Sequence, residues 1–74
     1  MERNQAAKLM LDAMLMLETF AKVIEPETDH ISCYAIEGST NVSIFRGDDE
    51  IMDAHLFDDG TIRINGDYFE KGEL

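Results

Sequence analysis

The chain has 74 residues, of which 45% are hydrophobic, and its sixteen acidic and six basic side chains give a formal net charge of −10. This length predicts one domain, residues 1–74, and the hydrophobic fraction is typical of a folded chain rather than a disordered one. A domain of this size buries only about 60% of its unfolded surface, and its single cysteine forms no internal disulfide. The excess of acids disfavours direct nucleic-acid binding, which needs a basic surface.

Residues 1–24 show the periodicity of an amphipathic helix. Asn4 is the predicted N-cap, and Pro26 ends the helix because it has no backbone N–H and restricts the residue before it. Apolar side chains recur at steps of three and four residues, which predicts one apolar stripe along the helix. The stripe contains Ala6, Met10, Ala13, Met14, Leu17, Phe20, Ala21 and Ile24.

Two leucines lie apart from the centre of this stripe. Leu11 and Leu15 fall at the border of the polar arc, and Met16 is their neighbour in the sequence. One interpretation is that they are single exposed apolar residues, which are common at protein surfaces. The other is a second apolar ridge that forms a homodimer interface.

Residues 30–69 change to a period of two and predict an antiparallel sheet. Four alternating runs cover residues 30–37, 42–46, 51–57 and 61–65, separated by turn sequences such as Asp59-Gly60. The connections are too short for parallel crossovers. We expect Tyr68 and Phe69 at the sheet edge and a tail over residues 70–74. The predicted fold is α+β: an N-terminal amphipathic helix packed on a four-stranded antiparallel β-meander, in the order αββββ and in two layers.

The negative charge is unevenly distributed. Residues 1–24 hold three acids and three bases, so the whole net charge belongs to residues 25–74. Because every second turn of a meander lies at the same end, we expect many carboxylates to meet there and to favour a basic partner. The alternative is that they serve only solubility. The residues of this predicted acidic edge are Glu25, Glu27, Asp29, Asp48, Asp49, Glu50 and Asp67.

The chain contains no recognisable motif for catalysis or for a cofactor. The glycines fit neither register of an EF-hand calcium loop, and no phosphate-binding loop occurs. Asp53 and His55 share one face of a predicted strand, and Cys33 is expected to be a small buried hydrophobe. An enzymatic hypothesis would rest on these three residues. We predict instead that the protein is not an enzyme and uses no metal or cofactor.

In size, charge and layout, though not in any motif, the chain is similar to small acidic proteins of phages and mobile elements that inhibit host nucleases, including anti-CRISPR and anti-restriction proteins. The leading hypothesis is therefore a cytoplasmic inhibitor, of phage or mobile-element origin, that mimics nucleic acid and occupies the basic groove of a nucleic-acid-binding protein. The alternative is a homodimeric interaction module assembled through the helix. Neither hypothesis involves a membrane.

Overall fold

The computed structural model describes all residues from Met1 to Leu74 and contains one helix and one antiparallel sheet with strand order β1-β2-β3-β4-β5. The α+β class and the antiparallel meander are confirmed, whereas the predicted number of four strands is wrong. The elements are α1 (Arg3–Ile24), β1 (His30–Ile36), β2 (Ser39–Arg46), β3 (Asp49–Phe57), β4 (Ile62–Ile64) and β5 (Asp67–Phe69). The single helix lacks the length of apolar sequence that spanning a membrane requires.

The fifth strand follows a two-residue turn. Asn65 and Gly66 have φ values of 51° and 89°, the left-handed conformation that a type I′ hairpin turn requires. The chain then reverses, and β5 pairs with β4 so that Tyr68 lies opposite Arg63. The sequence interpretation missed β5 because its three residues, Asp67, Tyr68 and Phe69, do not alternate between apolar and polar, whereas the equally short β4 lies within the alternating run of residues 61–65.

The ends of two other elements also differ from expectation. The helix N-cap is Glu2 rather than Asn4, and the Glu2 amide donates a hydrogen bond to Oε1 of Gln5 at 3.2 Å. Strand β2 begins at Ser39 because the preceding turn is short, with Gly38 at a φ of 82°. Residues 39–41, which have turn-like side chains, therefore belong to the strand.

The register gives the sheet an apolar face and a polar face. Ile44 is the centre of the apolar face and is almost completely buried. It pairs with Ile31 on one side and Met52 on the other, so all three side chains share that face. The opposite face of β2 carries Asn41 and Ser43, which are both buried.

The helix covers much less of the sheet than the two-layer prediction required. Its main contact is with the edge strand β1, and Ala21 is its one buried residue. The Thr28 hydroxyl donates to the carbonyl oxygens of Glu25 at 2.7 Å and Ala21 at 3.4 Å, which fixes the C-terminal end of the helix. The short connection to β1 thus holds the helix beside the sheet edge, and most of the apolar stripe stays exposed.

Candidate functional site

The loop between the helix and β1 lies against the turn between β2 and β3. The Asp29 amide donates to the carbonyl oxygen of Phe45 at 3.0 Å, and the Gly47 amide donates to the Asp29 carboxylate. Nη1 of Arg46 lies 3.6 Å from Oε2 of Glu25. These contacts bring two acidic segments together at one end of the sheet.

We call the six carboxylates of these segments the acidic end. Arg46 and His30 are its only positively chargeable neighbours in ion-pair contact, and they engage Glu25 and Asp29 respectively. Asp48 to Glu50 are exposed and form no ion pair. The acidic end therefore presents a strongly negative surface. It consists of Glu25, Glu27, Asp29, Asp48, Asp49 and Glu50.

Asp29 is fixed in its charged form. The Gly47 backbone amide, the His30 side chain and the positive charge of His30 lower the pKa of the Asp29 carboxyl. A donor that bonds to a carboxylate favours the ionised state. Asp29 consequently contributes negative charge at any physiological pH.

Asp67 lies apart from the other predicted partner-binding residues. It pairs with Ile64, which pairs with Ala54 in the middle of β3. Asp49, at the acidic end, is five residues away along that strand, a distance of roughly 16 Å at the rise of a β-strand. Strands β4 and β5 are too short to carry Asp67 to the acidic end.

The opposite end of the sheet is less negative. Its turns contain Glu37, Asp58 and Asp59, and the Lys71 side chain packs over Gly60 there. The Thr61 amide donates to Oδ1 of Asp59 at 2.9 Å and lowers the pKa of that carboxyl. Part of this acidic character is thus turn chemistry, with Asp59 acting as a local acceptor.

The three residues predicted as a dimer interface do not share one surface. Leu11 and Leu15 line a groove between the helix and β1, together with Met14 and Ile31. Met16 lies about 100° around the helix from Leu15, because successive helical residues are separated by that angle. The groove and Met16 are therefore separate features of the helix.

A polar network covers the outer face of the central strands. Nδ2 of Asn41 donates to Oδ1 of Asp53 at 2.9 Å, and the Ser43 hydroxyl donates to the same oxygen at 3.0 Å. Nη2 of Arg63 lies 3.8 Å from the other carboxylate oxygen. The Asn41 bond is the largest cause of a lowered pKa at Asp53. The carboxylate thereby connects β2, β3 and β4.

His55 has a different partner from the one that its spacing suggested. Its Nε2 atom is hydrogen-bonded to the Ser39 hydroxyl, whereas Asp53 is engaged by Asn41 and Ser43. The sequence interpretation missed Ser39 because it placed this residue in a turn. The prediction that Cys33 is buried is also wrong, since the residue is exposed where the helix leaves the apolar face uncovered.

Compared with protein-family models, curated proteins and solved structures, the chain matches none. Its function must accordingly be argued from its own residues. The distinctive features of its surface are the acidic end, the polar network and the uncovered helix.

Proposed function

We propose that the protein is a non-enzymatic inhibitor that uses its acidic end to occupy the basic nucleic-acid-binding surface of another protein. The observation that supports this most directly is that two contacts join the acidic segments. The Gly47 amide donates a hydrogen bond to the Asp29 carboxylate, and Arg46 forms an ion pair with Glu25. Six carboxylates share one end of a molecule of 8.4 kDa. The two segments that carry them are joined by main-chain and side-chain contacts.

The chemistry of the partner follows from the charge. A nucleic-acid-binding groove presents Lys and Arg side chains that neutralise phosphates. Clustered carboxylates offer the same sign of charge and accept the same hydrogen bonds, and Arg binds both groups in a bidentate manner. A basic groove is therefore the complementary surface for the acidic end, as in inhibitors of the anti-CRISPR and anti-restriction type.

Other features of the molecule agree with a binding role. The exposed carboxylates from Asp48 to Glu50 have no ion-pair partner of their own, so a basic partner need not displace one. Asp53, by contrast, accepts hydrogen bonds from Asn41 and Ser43, and His55 bonds to the Ser39 hydroxyl instead. The polar face thus supports the sheet, and the acidic end remains the surface available for recognition.

The test is a competition experiment with two charge-reversed variants. Immobilised wild-type protein captures proteins from a bacterial lysate at low salt, and duplex DNA or added salt is then used for elution. The first variant changes Asp48, Asp49 and Glu50 to Lys. The matched control changes Glu37, Asp58 and Glu73 to Lys, which alters the net charge equally at exposed positions elsewhere.

We expect duplex DNA to release the captured proteins, because both ligands occupy the same groove. Capture should fall at least tenfold for the acidic-end variant and remain near the wild-type level for the control. It should also weaken steeply with salt. Equal loss in both variants would mean that net charge alone is responsible, and capture insensitive to DNA and salt would refute nucleic-acid mimicry.

A further inference from the structure

The exposed side of the helix carries a regular apolar seam. Its members alternate at steps of three and four residues, the a and d spacing of a heptad repeat. Val23 is 78% exposed, and Met16 and Phe20 are each 57% exposed. We call this set the outer seam. It consists of Ala6, Leu9, Ala13, Met16, Phe20 and Val23.

We propose that a second copy of this chain covers the outer seam, so that two α1 helices pack antiparallel about a two-fold axis. This inference concerns a different surface from the acidic end and does not depend on the proposed function. The interface differs from the ridge that the sequence suggested, because Leu11 and Leu15 face the groove beside β1. Met16 is the one residue that belongs both to the predicted dimer interface and to the outer seam.

The isolated chain exposes more surface than a compact monomer. Its accessible area is 5779 Å², whereas a compact protein of 8.4 kDa has about 4,600 Å² by the scaling of surface with mass. The excess, roughly 1,200 Å², is comparable to the area of about 800 Å² that each partner buries in a standard stable interface. A helix pair that buried about 800 Å² on each partner would remove about two thirds of this excess.

The stability of the chain also favours a second copy. Only Ala21 and Ile44 are buried hydrophobic residues, and no disulfide or potential metal cluster supplements them. Small domains without disulfides or structural metal ions commonly gain stability by oligomerisation. Pairing the outer seams would provide a hydrophobic core that the single chain lacks.

Charge determines which surface can meet its own copy. The helix segment is neutral overall, and its two ion pairs, Lys8 with Asp12 and Lys22 with Glu18, are both formed within the helix. The sheet segment carries the whole net charge of −10 and would repel a copy of itself. Self-association is therefore directed to the helix.

The same electrostatics favours the antiparallel orientation. The acidic end adjoins the C-terminus of α1, so a parallel pair would place two acidic ends side by side. In an antiparallel pair they are separated by roughly the helix length, about 33 Å for 22 residues. That distance exceeds the Debye length of about 8–10 Å in physiological salt, and the repulsion is screened.

Side-chain size supports the antiparallel orientation independently. In a parallel pair each residue faces its own copy, so Ala13 would meet Ala13 and Phe20 would meet Phe20, and layers of very unequal thickness would result. Uneven layers leave cavities, which destabilise a core. The antiparallel register instead joins smaller residues to larger ones: Ala6 with Val23, Leu9 with Phe20, and Ala13 with Met16.

Disulfide trapping tests the contact and its direction together. Ala6→Cys and Val23→Cys are made separately, each with Cys33→Ser to remove the exposed native thiol. The two proteins are unfolded, mixed, refolded and oxidised, and cross-linked products are identified by mass spectrometry. Each variant is also oxidised alone. Leu11→Cys, at a position that is also exposed but lies on the groove side, is the control and is oxidised both alone and in mixtures.

We expect the mixed sample to form the disulfide between positions 6 and 23 at least tenfold more efficiently than either variant cross-links to itself. In the antiparallel pair, two copies of residue 6 lie about 25 Å apart along the axis. Efficient self-cross-linking of each variant would show a parallel pair and overturn the proposal. Cross-linking through Leu11→Cys alone, or none above the level of fully unfolded protein, would also overturn it.

Discussion

The Asp53 carboxylate accepts hydrogen bonds from two buried side chains of the neighbouring strand, Asn41 and Ser43. Without this acceptor, the Ser43 hydroxyl and one N–H of Asn41 would lose their partner in a place with little access to water, while the other Asn41 N–H would keep the Ala54 carbonyl oxygen. An unsatisfied buried donor costs about 1–3 kcal/mol, which is more than an exposed ion pair contributes. Asp53 is therefore the polar residue whose loss should most affect the sheet.

Replacing Asp53 with Ala should lower the free energy of unfolding by about 1–2 kcal/mol at neutral pH. The matched control is Asp67→Ala, which removes a carboxylate that makes no side-chain hydrogen bond and should have little effect. Urea denaturation of both variants measures the difference. Equal stability of Asp53→Ala and wild type would show that the network does not hold β2 to β3.

The same variant has a predictable pH dependence. The folded pKa of Asp53 lies below its ordinary value of 3.8, chiefly because Asn41 donates to it. A group with a depressed folded pKa stabilises the protein above its unfolded pKa, and this contribution is lost as the pH falls through the folded value. The stability difference between wild type and Asp53→Ala should therefore shrink below about pH 4, as measured by urea denaturation at successive pH values.

At the scale of elements, the sequence predicted the structure best where a periodic pattern extended over many residues. The stripe from Ala6 to Ile24 predicted the helix, and alternation predicted four of the five strands. It could not predict that the helix lies beside the sheet, because periodicity identifies an apolar side without identifying what covers it. Strand β5 was missed because its three residues do not alternate between apolar and polar. Ser39 was assigned to a turn because residues 39–41 have side chains that are typical of turns.

The hairpin of β4 and β5 depends on its turn, and this dependence can be tested by a substitution. Gly66 has a φ of 89°, a conformation that costs an L-residue about 1–2 kcal/mol. Gly66→Ala should thus destabilise this hairpin, and hydrogen exchange should become faster at backbone amides of β4 and β5. Amides between β1 and β2 are the internal control and should keep their protection. Unchanged exchange in β5 would contradict the assigned turn.

For the candidate site, too, the sequence predicted some positions and not others. The meander order could be deduced from short connections, and it implied that the loop of residues 25–29 and the turn at Asp48 lie at one end. The position of Asp67 could not be deduced, because it depends on how far β4 extends along β3. The Ser39 and His55 contact depends on cross-strand register, which one sequence does not specify.

At the scale of the whole molecule, charge and hydrophobic surface are segregated. The radius of gyration is 13.6 Å, compared with about 11 Å for a compact chain of this length. The helix offers a neutral apolar seam, while the acidic end offers carboxylates. These two surfaces are the basis of the two proposals, self-association through the helix and binding of a basic partner through the acidic end.

Spin-label distance measurement tests this arrangement most directly. A nitroxide on Glu50→Cys, with Cys33→Ser, reports the separation of the two acidic ends in the dimer at moderate protein concentration. The account predicts a distance of more than about 30 Å, since each label lies beyond the C-terminus of an antiparallel helix. A distance below about 20 Å, or no dipolar coupling between molecules, would contradict it.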